Sequence, residues 1–228
     1  MTANQRVRVK VCGITRGEDA RALDDLGVDY LGFNFWPGSK RYIAPEAAAP
    51  LIASLRHAVP VGVFVDHSPE EIARIATVTG IRMAQLHGRE GWDVIERVEL
   101  PVIKAVSQTH LGDWGGLRTG WDRFSGVDRP RHFLVDTAAG GAFGGTGQAF
   151  DWSLLEGAGL PRPIFLAGGI GPDNLEAAVR FTRPFGLYAV DLNSRVETAP
   201  GVKDVEAVEE CLRVLNGKSE IKNQKSEM

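Results

Sequence analysis

The sequence predicts an α/β fold: a single closed (β/α)8 barrel of the TIM type. Three observations carry that expectation. Eight short β-branched or aromatic runs recur along the chain, and amphipathic helical patterns separate most of them. At 228 residues, 43% of them hydrophobic, the chain can bury one large core and lies near the lower end for such a barrel. Glycine clusters follow the sixth and seventh runs, at the strand ends where barrels of this kind carry function.

Taken in order, strands are predicted at residues 7–12, 30–35, 61–65, 83–87, 102–106, 132–136, 164–167 and 187–193. Helices are predicted at 19–26, 46–57, 70–79, 91–97, 152–155, 174–181 and 205–216. Ser68-Pro69-Glu70-Glu71 combines a hydroxyl cap, a proline at the first helical position and a glutamate at the third. Thr15 and Glu18 repeat that reciprocal spacing, and Pro172 follows Gly171 where the helix after strand seven should begin. The segment from Gln108 to Asp128 holds Gly112, Gly115, Gly116, Gly120 and Gly126, so the fifth helix should be short or missing. Residues 1–217 form the predicted barrel. Residues 218–228 are polar and aperiodic, which predicts a disordered tail.

Composition narrows the partners. The formal net charge is -3 and no basic stripe occurs, so no nucleic acid is expected. No apolar run approaches a bilayer span, so no membrane is expected. Residues 1–8 are mostly polar and lead straight into a strand, which predicts no secretory leader. Two cysteines far apart, Cys12 and Cys211, fit a reducing compartment and a cytoplasmic protein. Cys211 shares an apolar stripe with Val205, Val208, Leu212 and Leu215 and reads as a small buried hydrophobe. Monomer and homodimer are both compatible with the sequence.

The carboxyl ends of the strands deliver the candidate chemistry. Strand one ends at Cys12 and strand six at Asp136, nearly opposite each other on a ring of eight. A thiolate can remove a proton and a carboxylic acid can donate one; alternatively Cys12 is packing and Asp136 a turn cap. Arg41, on a loop with Phe35 and Trp36, suits bidentate capture of a carboxylate, although solvated arginines are commoner. Gly168 and Gly169 after strand seven bring backbone N–H groups towards an anion at a helix start, whereas their bland reading is a tight turn. The stretch 140–147, with Gly145, either contacts phosphate or covers the substrate. His87 polarises a group or holds a loop, and Asp66 should cap the turn before Ser68. Lys10 shares the inward phase of Cys12 and needs a partner, for which Asp191 on strand eight is the candidate. No His, Asp and Cys cluster has metal-ligand spacing, so no metal is expected.

These motifs together resemble phosphoribosylanthranilate isomerase of tryptophan biosynthesis. The stretches are Lys10 to Thr15, Gly32 to Phe35 with Ser39 to Arg41, Val61 to Phe64, Gln85 to Gly88, Asp136-Thr137 with Gly144 to Trp152, Leu166 to Ile170, and Val190 to Ser194 with Val196-Glu197 and Pro200 to Lys203. Their order along the chain makes the set specific. The resemblance implies an Amadori rearrangement of N-(5-phosphoribosyl)anthranilate, a small-molecule substrate, without any cofactor. It implies Asp136 as general acid, Cys12 as general base, Arg41 as ligand of the anthranilate carboxylate, and Gly168, Gly169 and the turn after Asn193 as the phosphate site. One departure stands out: Arg195 follows Ser194 where the family usually has glycine. Either the backbone there is strained, at about 1–3 kcal/mol, or the guanidinium itself joins Ser194 in binding phosphate. Two other readings remain: another phosphate-binding barrel isomerase with aminoaldose substrates, including dual tryptophan and histidine pathway specificity, and a non-catalytic metabolite-binding barrel.

Overall fold

The computed structural model describes residues 6–107, 131–136, 155–156 and 163–225, with side chains of the last helix given to Gly217. Eight parallel strands close into a barrel in simple sequential order. They are β1 (Arg8–Cys12), β2 (Tyr30–Asn34), β3 (Val59–Phe64), β4 (Met83–Leu86), β5 (Val102–Ser107), β6 (His132–Asp136), β7 (Ile164–Leu166) and β8 (Leu187–Leu192). The seam pairs β1 with β8 and sets Lys10 beside Asp191. Helices α1 (Gly17–Asp25), α2 (Pro45–Ala53), α3 (Pro69–Thr79), α4 (Trp92–Arg97), α5 (Leu175–Thr182) and α6 (Val205–Lys225) surround it. A two-stranded hairpin, β9 (Glu197–Ala199) and β10 (Val202–Lys203), follows β8.

Strand alternation divides the apolar residues into two cores. Tyr30, Val61, Met83, Ile103, Leu134, Phe165 and Ala189 fill the barrel interior. Val9, Val11, Leu31, Phe33, Phe64, Leu86, Phe133 and Val190 face the helices and form the larger cluster. Cys211 lies fully buried in that outer layer, and burial pushes its thiol up to about 12.

Local chemistry explains where the elements begin. At α3, Ser68 Oγ accepts from Glu71 N at 3.2 Å, and Glu71 Oε2 accepts from Ser68 N at 2.8 Å. This reciprocal cap, with Pro69 opening the helix, matches the sequence expectation. Thr15 does otherwise: Arg16 is the N-cap of α1 and makes no side-chain cap bond, while Thr15 Oγ1 donates to the Gly201 carbonyl at 2.6 Å. Asp66 also departs from expectation. It adopts a left-handed φ of +54°, and its Oδ1 accepts from Arg89 N at 2.7 Å, so it ties the loop after β3 to the loop after β4.

Helix α6 continues to Lys225, into the stretch for which the sequence predicts a disordered tail. The predicted short or missing fifth helix, the predicted helix start at Trp152 and the glycines of 140–147 lie outside the described residues.

Candidate active site

The catalytic pair predicted from sequence occupies the carboxyl ends of two strands. Cys12 is the last residue of β1 and Asp136 the last of β6, and both are buried. Gly32 on β2 makes room for the thiol. A Cβ at that position would stand 2.8 Å from Cys12 Sγ and 3.2 Å from Lys10 Nζ. Burial pushes the Cys12 thiol up; the Lys10 and Lys203 ammonium groups pull it back, and Asp191 adds to the rise.

Lys10 is inaccessible to solvent, and its ammonium donates to both oxygens of Asp191 at 2.9 Å. The pairing expected from strand phase is therefore present. Burial works against the lysine's charge, but the Asp191 carboxylate, with a smaller contribution from Cys12, outweighs it and holds the ammonium protonated above its ordinary range. Asp191 also lies within the electrostatic reach of Asp136 and His87. It thus stands between the thiol side of the barrel mouth and the carboxyl side.

His87 belongs to the carboxyl side. Its Nε2 is 3.4 Å from Asp136 Oδ2, and its Nδ1 is 2.9 Å from Gln85 Nε2. If the amide donates to Nδ1, the proton of the neutral ring sits on Nε2 and points at Asp136. The loop carrying His87 is clamped from the helix side. Lys104 Nζ donates to the Leu86 and Gly88 carbonyls at 3.3 and 2.7 Å and to Glu90 Oε2 at 2.7 Å. Burial lowers the Lys104 pKa, with Glu90 opposing.

Arg41 is not a free surface arginine. Its Nε donates to Glu197 Oε1 and Oε2 at 2.9 and 3.0 Å, and its Nη2 to Oε2 at 2.6 Å. Glu197 in turn accepts from Lys203 Nζ at 2.6 Å and from Gly201 N at 3.1 Å. The Glu197 hydrogen bonds raise the Arg41 pKa. Burial works to raise that of Glu197, yet Arg41 and Lys203 together hold it below the usual carboxylate range. One edge of the guanidinium is committed to Glu197, and Nη1 has no hydrogen bond among the described residues. Glu197 and Lys203 are functional candidates that sequence reasoning left without a role. Their signal was the Pro200-Gly201 turn between opposite charges, which register as cross-strand partners in the β9–β10 hairpin.

The anion end forms at β7 and β8. Gly168 and Gly169 have φ of +85° and +64°, a left-handed pair that residues with a Cβ rarely adopt. Asn174 braces it: Oδ1 accepts from Gly171 N at 2.9 Å and Nδ2 donates to the Gly169 carbonyl at 2.8 Å. Ser194 opens a 3-10 turn, Ser194–Val196, across from this loop. Arg195 sits in that turn without a positive φ, so the strain anticipated there is absent. Its side chain lies over Gly171 and pairs with Asp173 at 2.5 Å. Gly145 is outside the described residues.

Comparison with known proteins gives this geometry a context. The family model for N-(5'-phosphoribosyl)anthranilate (PRA) isomerase matches residues 9–214. The chain belongs to that family. A relative from Myxococcus xanthus named N-(5'-phosphoribosyl)anthranilate isomerase is 45% identical over 209 residues, spanning 91% of this chain and 95% of its own. Among solved structures, the phosphoribosyl anthranilate isomerase of Thermus thermophilus superposes with a TM-score of 0.76 at 36% identity, covering 92% of this chain and 99% of that one. A phosphoribosyl anthranilate isomerase solved with reduced 1-(o-carboxyphenylamino)-1-deoxyribulose 5-phosphate superposes with a TM-score of 0.74 at 34% identity, over 92% and 99% of the two chains. The barrel and the identity of its family therefore agree with the sequence expectation. Among the described residues no helix is long and apolar enough to cross a membrane.

Proposed function

We propose that this chain is the isomerase that converts N-(5-phosphoribosyl)anthranilate to 1-(2-carboxyphenylamino)-1-deoxyribulose 5-phosphate in tryptophan biosynthesis, acting in the cytoplasm. The observation that carries the residue assignment is the placement of Cys12 and Asp136 at the ends of β1 and β6, with Asp191 coupled electrostatically to both. Asp136 protonates the ribose ring oxygen, the bond from that oxygen to C1 breaks, and an iminium ion forms. The C2 proton is acidic only in this charged species, and the Cys12 thiolate removes it. The resulting enolamine tautomerises to the aminoketose. The iminium itself serves as electron sink, so the step calls for no organic cofactor or metal.

Binding follows the charges. The Nη1 side of Arg41 receives the anthranilate carboxylate. The left-handed turn at Gly168 and Gly169, the start of α5 and the Ser194 turn receive the phosphate. Lys10, Asp191 and His87 support the acid–base pair, and Arg195 stands at the rim of the phosphate site.

The test is a fluorescence assay following consumption of phosphoribosylanthranilate by the purified protein, beside the aminoaldose substrate of the histidine pathway. Turnover of the first and not the second is expected. Cys12→Ala and Asp136→Asn should each lower kcat by about 10²–10⁴-fold while melting like the parent. Parent-like turnover in either variant removes that residue from the chemistry.

A further inference from the structure

We propose that Glu197 and Lys203 are positioning residues of the isomerisation, Glu197 by aiming Arg41 at the substrate's carboxylate and Lys203 by fixing a cation against Asn193 beside Gly13, the neighbour of Cys12. The inference rests on the assignment of Cys12 and Arg41 above.

The geometry is that of a built site. The side chains of Glu197 and Lys203 are 3% and 0% exposed, on facing positions of the β9–β10 hairpin. Two cations, Arg41 and Lys203, share the single Glu197 carboxylate, so the buried cluster holds one surplus positive charge. A desolvated surplus charge is costly unless an anion completes it. Either the substrate's carboxylate at Arg41 or a thiolate at Cys12 can neutralise it. Three bonds from Glu197 fix the guanidinium plane, which an arginine on a loop would not hold unaided. The path is tight: a Cβ on Gly13 would lie 2.4 Å from Arg41 Cδ and 3.1 Å from Asn193 Oδ1.

Lys203 approaches the end of β1 through the same crowding. Its Nζ donates to Asn193 Oδ1 at 3.2 Å, and that oxygen lies where a Cβ on Gly13, the neighbour of Cys12, would meet it at 3.1 Å. The charged groups that act on Cys12 are Lys10 on its own strand, Asp191 on β8, Lys203 on β10 and Arg41 on the loop after β2. Lys10 is already neutralised by Asp191. Burial lowers the Lys203 pKa, Glu197 opposes that fall, and the ammonium so held pulls the Cys12 pKa down against burial.

Two variants separate the two roles, with Cys12→Ala as the control that reports on the parent assignment. Glu197→Gln should raise KM for phosphoribosylanthranilate about tenfold or more with a smaller change in kcat. An unchanged KM overturns the aiming role. Lys203→Met should move the thiolate absorbance titration of Cys12, measured as the difference from Cys12→Ala, to higher pH by about half a unit or more. Lys203→Arg should return it towards the parent. A titration that coincides with the parent in folded Lys203→Met protein overturns the charge role. Should Glu197→Gln not fold, the double variant E197Q/K203M, which keeps one surplus cation, carries the aiming test: a raised KM supports it and a parent KM overturns it. An inactive parent, or an active Cys12→Ala, would instead strike the underlying assignment.

Discussion

Replacing Lys10 by methionine should remove a large part of the protein's stability. The ammonium is fully buried and Asp191 has a side-chain exposure of 6%, so neither group has water as a substitute partner. Methionine fills a similar volume but leaves the Asp191 carboxylate buried without its two 2.9 Å donor contacts. Breaking a buried pair from one side costs about 3–5 kcal/mol. In a chain of this length 1 kcal/mol moves Tm by roughly 2–4 °C, so a fall of about 6–20 °C is expected. Urea unfolding followed by far-UV circular dichroism measures the difference. The double variant K10M/D191L should recover most of the loss, because it deletes both charges. The pH dependence has a definite sign. The folded pKa of Lys10 is raised, so its contribution is complete below the ordinary lysine value of 10.5 and fades as pH rises through the higher folded value. Burial raises the Asp191 pKa even beside Lys10, and the variant removes the ammonium that opposes that rise. The carboxylate's penalty is absent below the unfolded value of about 3.9 and grows as pH rises through the folded one. The deficit of K10M should therefore be widest near neutrality and narrow towards acid. A single variant within about 1 kcal/mol of the parent at pH 7 would show that the pair does not carry the charge described.

Other expectations follow from single contacts. Gly32→Ala puts a methyl 2.8 Å from Cys12 Sγ and should lower kcat while costing about 1–3 kcal/mol of stability; parent-like kcat would show that the thiol's position is not critical. Arg195→Gly removes the Asp173 partner without relieving backbone strain, so activity should persist with KM changed more than kcat, and a large fall in kcat would place Arg195 in the chemical step. Thiolate absorbance of the free protein should show Cys12 titrating above 9.0 and Cys211 near 12; a Cys12 midpoint below 9.0 would mean that its neighbouring cations prevail over burial.

The sequence made the barrel legible because strand alternation and helix periodicity recur in register along the chain. Cys12 and Asp136 could be placed at the barrel mouth because each ends a strand, and Lys10 could be matched to Asp191 because inward phase on β1 and β8 faces them at the seam. Contacts that join distant loops were harder. Arg41 and Glu197 lie 156 positions apart, and nothing in the local pattern of either announces the other. Thr15 has the spacing of a helix cap, yet the Gly201 carbonyl competes for its hydroxyl and wins. By its sequence position Asp66 should cap the turn before Ser68, but its carboxylate accepts from Arg89 N in the loop after β4. At Arg195 the expected strain failed because a 3-10 turn accepts an ordinary φ where a glycine had suggested otherwise.

The β9–β10 hairpin has a consequence for how the protein is made. The partners of Arg41 are translated after all eight barrel strands, and the first strand waits on the eighth to be closed. A ribosome that stalls before residue 197 releases a chain with a thiol, an acid and an arginine but no means of holding the arginine in place. On the roles proposed above, competence to bind substrate thus arrives only after β8 has been made, and a chain cut short before the hairpin should be a poor competitor for the metabolite.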